Sequence, residues 1–385
     1  MTFKRSFLIS FSILLLMMGS FASGYFWRDY RLSQQRFPIL EQAYRILEQN
    51  GLKEIPSGPA MEYGMIRGML QAYQDPYTLF VEPAQHELES DALQGSFGGI
   101  GVNLVVDDNG YLVLFPFPEG PAKAAGIQDG DRLLSVGDLR INPNSALDGV
   151  QSAIRGTVGE PITLVVGRPP DYAPIVVQIV RAQISLHSVT WYLDPDESQV
   201  GVVKINLIAA STADEIQQAF KDLQAQGAAR FVLDLRDNPG GLLTAAVDVS
   251  RLFLREGVVM QQQYKGRGVE TFQVEKPGPL VDAPLAILIN HGSASAAEII
   301  AGSLQAHQRA VLVGESSYGK DTVQLVFDLQ DKSSLHVTAA RWWIPDLKEP
   351  LGGKGLQPDF PVLSSDPNSG PDQALQTAAR ILMQQ

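Results

Sequence analysis

The chain has 385 residues, 45% of them hydrophobic and 19% charged, with a net charge of −12 from 30 Lys plus Arg against 42 Asp plus Glu. That length supplies two or three domains with buried cores, and the acidity argues against nucleic acid as a partner. The absence of cysteine excludes disulfides, thiolate metal sites and a cysteine nucleophile.

At the N-terminus Lys4 and Arg5 precede an uncharged run from Ser6 to Trp27, which as a helix is long enough to cross a hydrocarbon core of about 30 Å. Tyr25, Phe26 and Trp27 suit the outer interface, and Lys4 and Arg5 the cytoplasmic side. The expectation is a signal anchor in residues 1–28, with the remainder outside the cytoplasm. Ser20 and Ala22 also supply the small residues of a signal-peptidase site, so secretion after cleavage is the alternative.

A helical region follows at 29–88. Ile39, Leu40, Ala43, Ile46 and Leu47 fall on one face of a helix over 37–50 that ends at Gly51, and a second helix is expected over Met61 to Tyr73. Both read as packing elements. Residues 95–182 change to short β-rich runs, "YLVLF", "RLLSV", "ITLVV" and "PIVVQIV", separated by turn residues, which predicts a small β-domain. Over 183–365 strands alternate with helices. "VGVVKINLI", a helix over Thr212 to Gln226, "RFVLDLR", a helix after Gly241, "PLAILIN", a helix from Ser295 and "RAVLVG" predict an α/β layer with a largely parallel sheet. The polar stretch 364–372 links to a last helix within 366–385.

Open α/β sheets put their chemistry at strand ends. "FVLDLR" runs into Asp237, Asn238, Pro239, Gly240 and Gly241, a turn able to offer backbone N–H groups to an oxyanion or to serve only as a strand-to-helix connection. In "HGSASAAEIIAGSL", Ser295 and Glu298 fit a Ser-x-x-Glu capping box. A serine at a helix start also meets free N–H groups and the positive end of the dipole, as a nucleophile requires. None of the five histidines, His86, His187, His291, His307 and His336, sits in a recognisable serine-hydrolase motif. A lysine serves as base once its pKa falls well below its ordinary ~10.4, and Lys320 follows the strand "RAVLVG" in a Tyr-Gly-Lys turn.

The segment from Asn290 to Gln324 resembles the catalytic core of the carboxyl-terminal processing peptidases, which use a Ser/Lys dyad. Ser295-Ala296-Ala297-Glu298, Tyr318-Gly319-Lys320 and Gln324 match the family's motifs at its spacing. "DPYTLFVEP" at 75–83, "LDLRDNPGGLL" at 233–243 and "GKGLQPD" at 353–359, the family's closing strand, extend the resemblance over about residues 60–385. "EGPAKAAGIQDGDRLLSVGD" at 119–138 is similar to a PDZ domain.

The resemblance implies an α/β protease core of ClpP/crotonase-like βα layers with an inserted PDZ domain. It implies a serine endopeptidase that cuts extracytoplasmic proteins near their C-termini, without a metal or other cofactor. Ser295 is then the nucleophile, Lys320 the base and Gln324 its orienting partner. Ala296 with Gly240 or Gly241 forms the oxyanion hole, and Ser293 is only a neighbour. Gly99, Ile100, Gly101 and Val102 would hold the carboxylate of a substrate tail.

Two residues depart from the family pattern: Asp321 stands where glycine is common, and Trp342-Trp343 replace a single aromatic. A carboxylate beside Lys320 would favour its protonated form, unless strand alternation turns Asp321 away. The tryptophans fit either core or groove wall. Ser317-Tyr318-Gly319-Lys320 also fits a Ser-x-x-Lys pattern, but its Ser-Asp-Asn and Lys-Thr-Gly companions are missing, as is any His-Glu-x-x-His zinc motif. The rival of a different class is an inactive, anchored PDZ scaffold that binds protein tails. The physiological substrate and any homo-oligomer are left open.

Overall fold

The computed structural model describes residues 17–20, 37–143, 145–347, 351–363 and 372–384. Of the expected anchor only 17–20 falls among these, as helix, and the linker at 364–371 lies outside them. No helix among the described residues is long and apolar enough to cross a membrane.

The chain divides into two units, residues 1–73 and 74–385. The first contains α1 (Pro38–Asn50), begun by a proline at its first turn, and α2 (Ala60–Tyr73). The expected packing role is not met in α1. Its apolar face, with Ile39, Leu40, Ile46 and Leu47, stays exposed, and no residue of the helix is buried. Helical periodicity predicted the face but not its partner.

The second unit opens with β1 (Leu79–Val81) and α3 (Pro83–Gln94), which Gly95 ends in a left-handed conformation. Strand β2 (Ser96–Gly99) then enters the β-domain. Its sheet runs in the order β3 (Val102–Val106), β4 (Leu112–Pro116), β5 (Asp131–Val136), β7 (Pro161–Arg168), β8 (Ala173–Val180), with β6 (Leu139–Arg140) on β5. Helices α4 (Pro121–Ala124) and α5 (Leu147–Ile154) accompany it. Leu112, Leu114, Leu133, Leu164, Val166 and Ile179 alternate inward to form a core separate from that of the rest of the chain. The chain leaves as it entered: β9 (Ala182–Ser185) pairs antiparallel with β2.

The larger sheet has the order β10 (Val189–Leu193), β11 (Val200–Ile205), β12 (Arg230–Asp234), β15 (Leu285–Ile289), β16 (Val311–Gly314), β19 (Phe360–Pro361). All neighbours are parallel except the edge strand β10. "GKGLQPD" is therefore a loop, and the closing strand follows it at Phe360. Loop geometry is needed there because Gly355 packs against the Ser317 backbone. Phe231 and Leu233 of β12 face α6 (Thr212–Ala225), α7 (Leu243–Phe253) and α8 (Ala296–Ala306), whereas Val232 faces α9 (Gln373–Met383). Burial on both faces explains the continuous apolar runs of these strands.

An antiparallel sheet, β1–β18–β13–β14 with β17 on β18, completes the unit; β13 is Val258–Tyr264, β14 Val269–Gln273, β17 Thr322–Asp328 and β18 Ser334–Trp343. It answers the question about the tryptophans. Trp342 is buried in the main core, and Trp343 points elsewhere, donating from Nε1 to Gln261 Oε1 at 3.0 Å.

Helix α9 is fastened to the end of β12 by Arg236, which bonds buried Asp234 at 2.7 Å and Asp372, the N-cap of α9, at 2.8 Å. Burial acts to raise the Asp372 carboxyl, but Arg236 and the α9 N–H groups carry it below its ordinary value. The contact therefore stabilises the fold at neutral pH and is lost as pH falls through that lowered value. Arg236→Ala leaves Asp234 buried without its ion-pair partner, and a loss of about 3 kcal/mol in urea-induced unfolding is expected. A loss below about 1 kcal/mol would show that the fastening is incidental.

Candidate active site

Strand β15 ends at Ile289, and the chain turns through His291 and Ser293 into α8, with Ser295 as N-cap. Ser295 has φ +55° and ψ −115°, a strained conformation for a residue with a Cβ. The turn is held from below. Buried Ser293 donates to the Leu235 carbonyl at 2.8 Å and accepts the Asn290 N–H at 3.0 Å, which gives it a structural role. Asn290 and Asp237 exchange two hydrogen bonds of 2.9 Å, and Ala294 N–H donates to the Asn238 carbonyl at 2.9 Å. The loop after β12 and the loop after β15 are thus one unit.

Gly240 lies directly against the candidate nucleophile: a Cβ there would be 3.0 Å from Ser295 Cβ and 3.2 Å from Ala296 N, and its φ is +108°. The sequence offers Gly240 and Gly241 equally as oxyanion donors, and the structure separates them. Gly240 N–H already donates to Asn238 Oδ1 at 2.9 Å, an Asx turn inside "DNPG". Neither Gly241 N–H nor Ala296 N–H has a hydrogen-bond partner among the described residues. Ala296 opens α8, so its N–H also carries the positive end of the helix dipole.

Glu298 does more than close a capping box. The side chain is fully buried and accepts four donors: Ser295 N–H at 2.8 Å and Lys320 N–H at 2.9 Å on Oε2, with Ser317 Oγ at 2.5 Å and Gly319 N–H at 2.7 Å on Oε1. Burial pushes this carboxyl above its ordinary value, and the four donors oppose the rise. One oxygen therefore joins the backbones of Ser295 and Lys320. Gly319 is required in the second loop, since at φ +93° a Cβ would meet the Gly353 and Gly355 backbone at 2.7 Å.

The Lys320 side chain is half-buried, and burial lowers its pKa, with the charges of Asp75 and then Glu298 pushing it back up. The backbone carbonyl of Asp321 accepts Trp342 N–H at 2.9 Å. Lys320 Nζ donates to Gln324 Oε1 at 2.9 Å, and no hydrogen bond joins it to Ser295 Oγ among the described residues. His86 meets Asp328, His187 Glu215, His307 the Val258 carbonyl and His336 Ser334, while His291 lies against the Tyr318 ring. None of the five bonds Ser295. Among the described residues no cluster of His, Asp or Glu could hold a metal ion.

In the β-domain, Gly99 ends β2, Ile100 and Gly101 (φ +69°) form the turn, and Val102 opens β3. The carbonyls of Ile100 and Gly101 accept Ala122 N–H at 2.8 Å and Phe117 N–H at 2.9 Å, while their own N–H groups have no partner among the described residues. Those two N–H groups end a groove between β3 and α5 whose walls include Phe97, Leu104, Ile154 and Arg155. Arg155, which the sequence does not single out, stacks 4.0 Å over Phe97 and pairs with Asp91 of α3.

Residues 199–362 match the model of peptidase family S41, and residues 118–168 match that of a PDZ domain. A carboxyl-terminal-processing protease of Picosynechococcus sp. is 34% identical over 321 residues, 83% of this chain and 77% of that protein. The carboxy-terminal processing protease CtpA of Bacillus subtilis is 32% identical over 324 residues, 84% of this chain and 68% of that protein. Among solved structures, the photosystem II D1 C-terminal processing protease aligns over 88% of this chain and 90% of its own, with 29% identity and a TM-score of 0.47.

Glu298→Gln keeps the volume of the clamp but leaves its amide nitrogen facing donors. Displacement of Ser295 or Lys320 by about 1 Å is expected to lower kcat/KM about 100-fold, with a fall in melting temperature. Unchanged kinetics would mean that Glu298 only caps α8.

Proposed function

The chain belongs to the carboxyl-terminal processing peptidases of family S41, serine proteases with a PDZ domain, and from that premise we propose that it cuts proteins near their C-termini with Ser295 and Lys320. The observation that carries this reading is the shared Glu298 oxygen, which accepts the backbone N–H groups of both Ser295 and Lys320.

In this reading Ser295 Oγ attacks the scissile carbonyl as neutral Lys320 Nζ takes its proton. The developing oxyanion accepts the N–H groups of Ala296 and Gly241, with Gly240 shaping the approach rather than donating. The Lys320 ammonium then protonates the leaving amine, and the C–N bond breaks. Water hydrolyses the acyl-enzyme, with Lys320 again as base. Gln324 orients the amine. The turn Gly99–Val102 binds the tail carboxylate, and the tail adds as a strand beside β3. Residues 95–182 form the tail-binding module and 183–365 the peptidase core. The uncharged run at 6–27 supports catalysis outside the cytoplasm on a membrane anchor, or secretion after its removal.

The full-length chain should cleave a protein bearing a free C-terminal tail, whereas Ser295→Ala and Lys320→Ala should bind the tail without cutting it. Tail binding without cleavage by all three would favour an inactive scaffold. Amidating the tail removes the charge that meets the Ile100 and Gly101 N–H groups, and a loss of about tenfold or more in affinity is expected by calorimetry. Equal binding of both tails would remove the carboxylate site.

A further inference from the structure

Lys320 has a group of neighbours that proton transfer from Ser295 does not require. Its amine lies 5.0 Å from the centroid of the Tyr77 ring and donates to Gln324. Gln324 Nε2 in turn donates to the Tyr77 carbonyl. An amide that donates at Nε2 presents Oε1 to its other partner, so the Tyr77 backbone decides which way Gln324 faces and where the lysine rests. The same turn carries a carboxylate. Asp75 Oδ1 accepts Tyr77 N–H at 3.1 Å, and Oδ2 accepts the Thr78 hydroxyl at 2.6 Å. Thr78 Oγ1 accepts Thr338 N–H at 3.1 Å, which pins the turn to β18.

These contacts favour an ammonium over an amine. A cation is drawn to the face of an aromatic ring, a nearby carboxylate stabilises the charged form, and a charged donor makes the stronger hydrogen bond to Gln324. Asp75 is the leading source of negative charge acting on Lys320, ahead of Glu298 on α8, whose oxygens are already occupied by four donors. Other titratable groups nearby are Tyr77, Tyr318 and His336 on β18, which feels the Lys320 charge, with Asp321, Tyr264, Lys265 and Arg341 lining the cleft that also holds Asp75 and Tyr77.

We propose that the Asp75–Thr78 turn is a holding site for the Lys320 ammonium, with Asp75 and Tyr77 as positioning residues that keep the side chain charged and turned onto Gln324 until it is released toward Ser295. The proposal rests on the reading of Lys320 as the base, and adds that the segment before β1 governs when the base is free.

Asp75→Asn removes the charge while keeping the turn, since its oxygen can accept Tyr77 N–H and its amide can donate to the Thr78 hydroxyl. The direct readout is acylation of Lys320 by an amine-reactive ester across a pH series in Ser295→Ala protein, followed by peptide mass spectrometry. Only the neutral amine reacts, so the curve reports ionisation without catalysis. Asp75→Asn and Tyr77→Leu should each move the curve to lower pH. Thr78→Val, which loosens the turn but removes neither charge nor ring, should leave it in place. With Ser295 present, the acidic limb of kcat/KM should move to lower pH in Asp75→Asn. An unmoved labelling curve in Asp75→Asn overturns the holding site whatever happens to cleavage. A curve that moves while Lys320→Ala still cleaves upholds the holding site and overturns the dyad.

Discussion

A single buried carboxylate accounts for most of the site's geometry. Glu298 accepts the amides of Ser295 and Lys320 on one oxygen and binds Gly319 and Ser317 with the other. Such a group is costly to bury and keeps its place because every lone-pair direction is met by a donor. Two loops 25 residues apart in sequence thereby become one surface. The strain at Ser295 is offset by the same bonds, together with those of Ser293, Asn290 and Asn238 beneath it.

The holding of the lysine is less complete than the holding of its backbone. Lys320 N–H is fixed by Glu298, but Nζ rests on Gln324 beside Tyr77 rather than on Ser295. In the proposed mechanism Nζ must leave Gln324 and lose a proton before it can serve Ser295. Burial lowers the lysine's pKa, and Asp75 and Glu298 oppose it. If Lys320 is the base, as proposed, the balance between desolvation and these two carboxylates bears on the pH at which its amine is neutral.

Much of this was legible from the residues. The alternation of apolar runs with helical periods gave the parallel layer, and the β-rich texture of 95–182 gave the second core. Ser295, Lys320 and Gln324 stand out only through the resemblance to the carboxyl-terminal processing peptidases, whose motifs they match in order. Glu298 was readable only as half of a capping box, since its other partners lie at 317, 319 and 320 and no local rule links them to a helix start. Asp75 and Tyr77 approach Lys320 through the pairing of β1 with β18, a contact between distant segments with no signature in either one. That Gly240 N–H is spent on Asn238 was in principle visible, because asparagine commonly bonds the N–H two residues on. The exposed face of α1 shows the opposite limit: periodicity defines an apolar stripe without naming what covers it.

The most direct measurement is a crystal structure of the chain with a peptide boronate bonded to Ser295. The Glu298 clamp predicts that its four hydrogen bonds persist, that a boronate oxygen lies between the N–H groups of Ala296 and Gly241, and that Lys320 Nζ reaches hydrogen-bonding distance of Ser295 Oγ. A covalent adduct in which Nζ stays remote from Ser295, or in which the backbones at 295 and 320 have parted from Glu298, would contradict it.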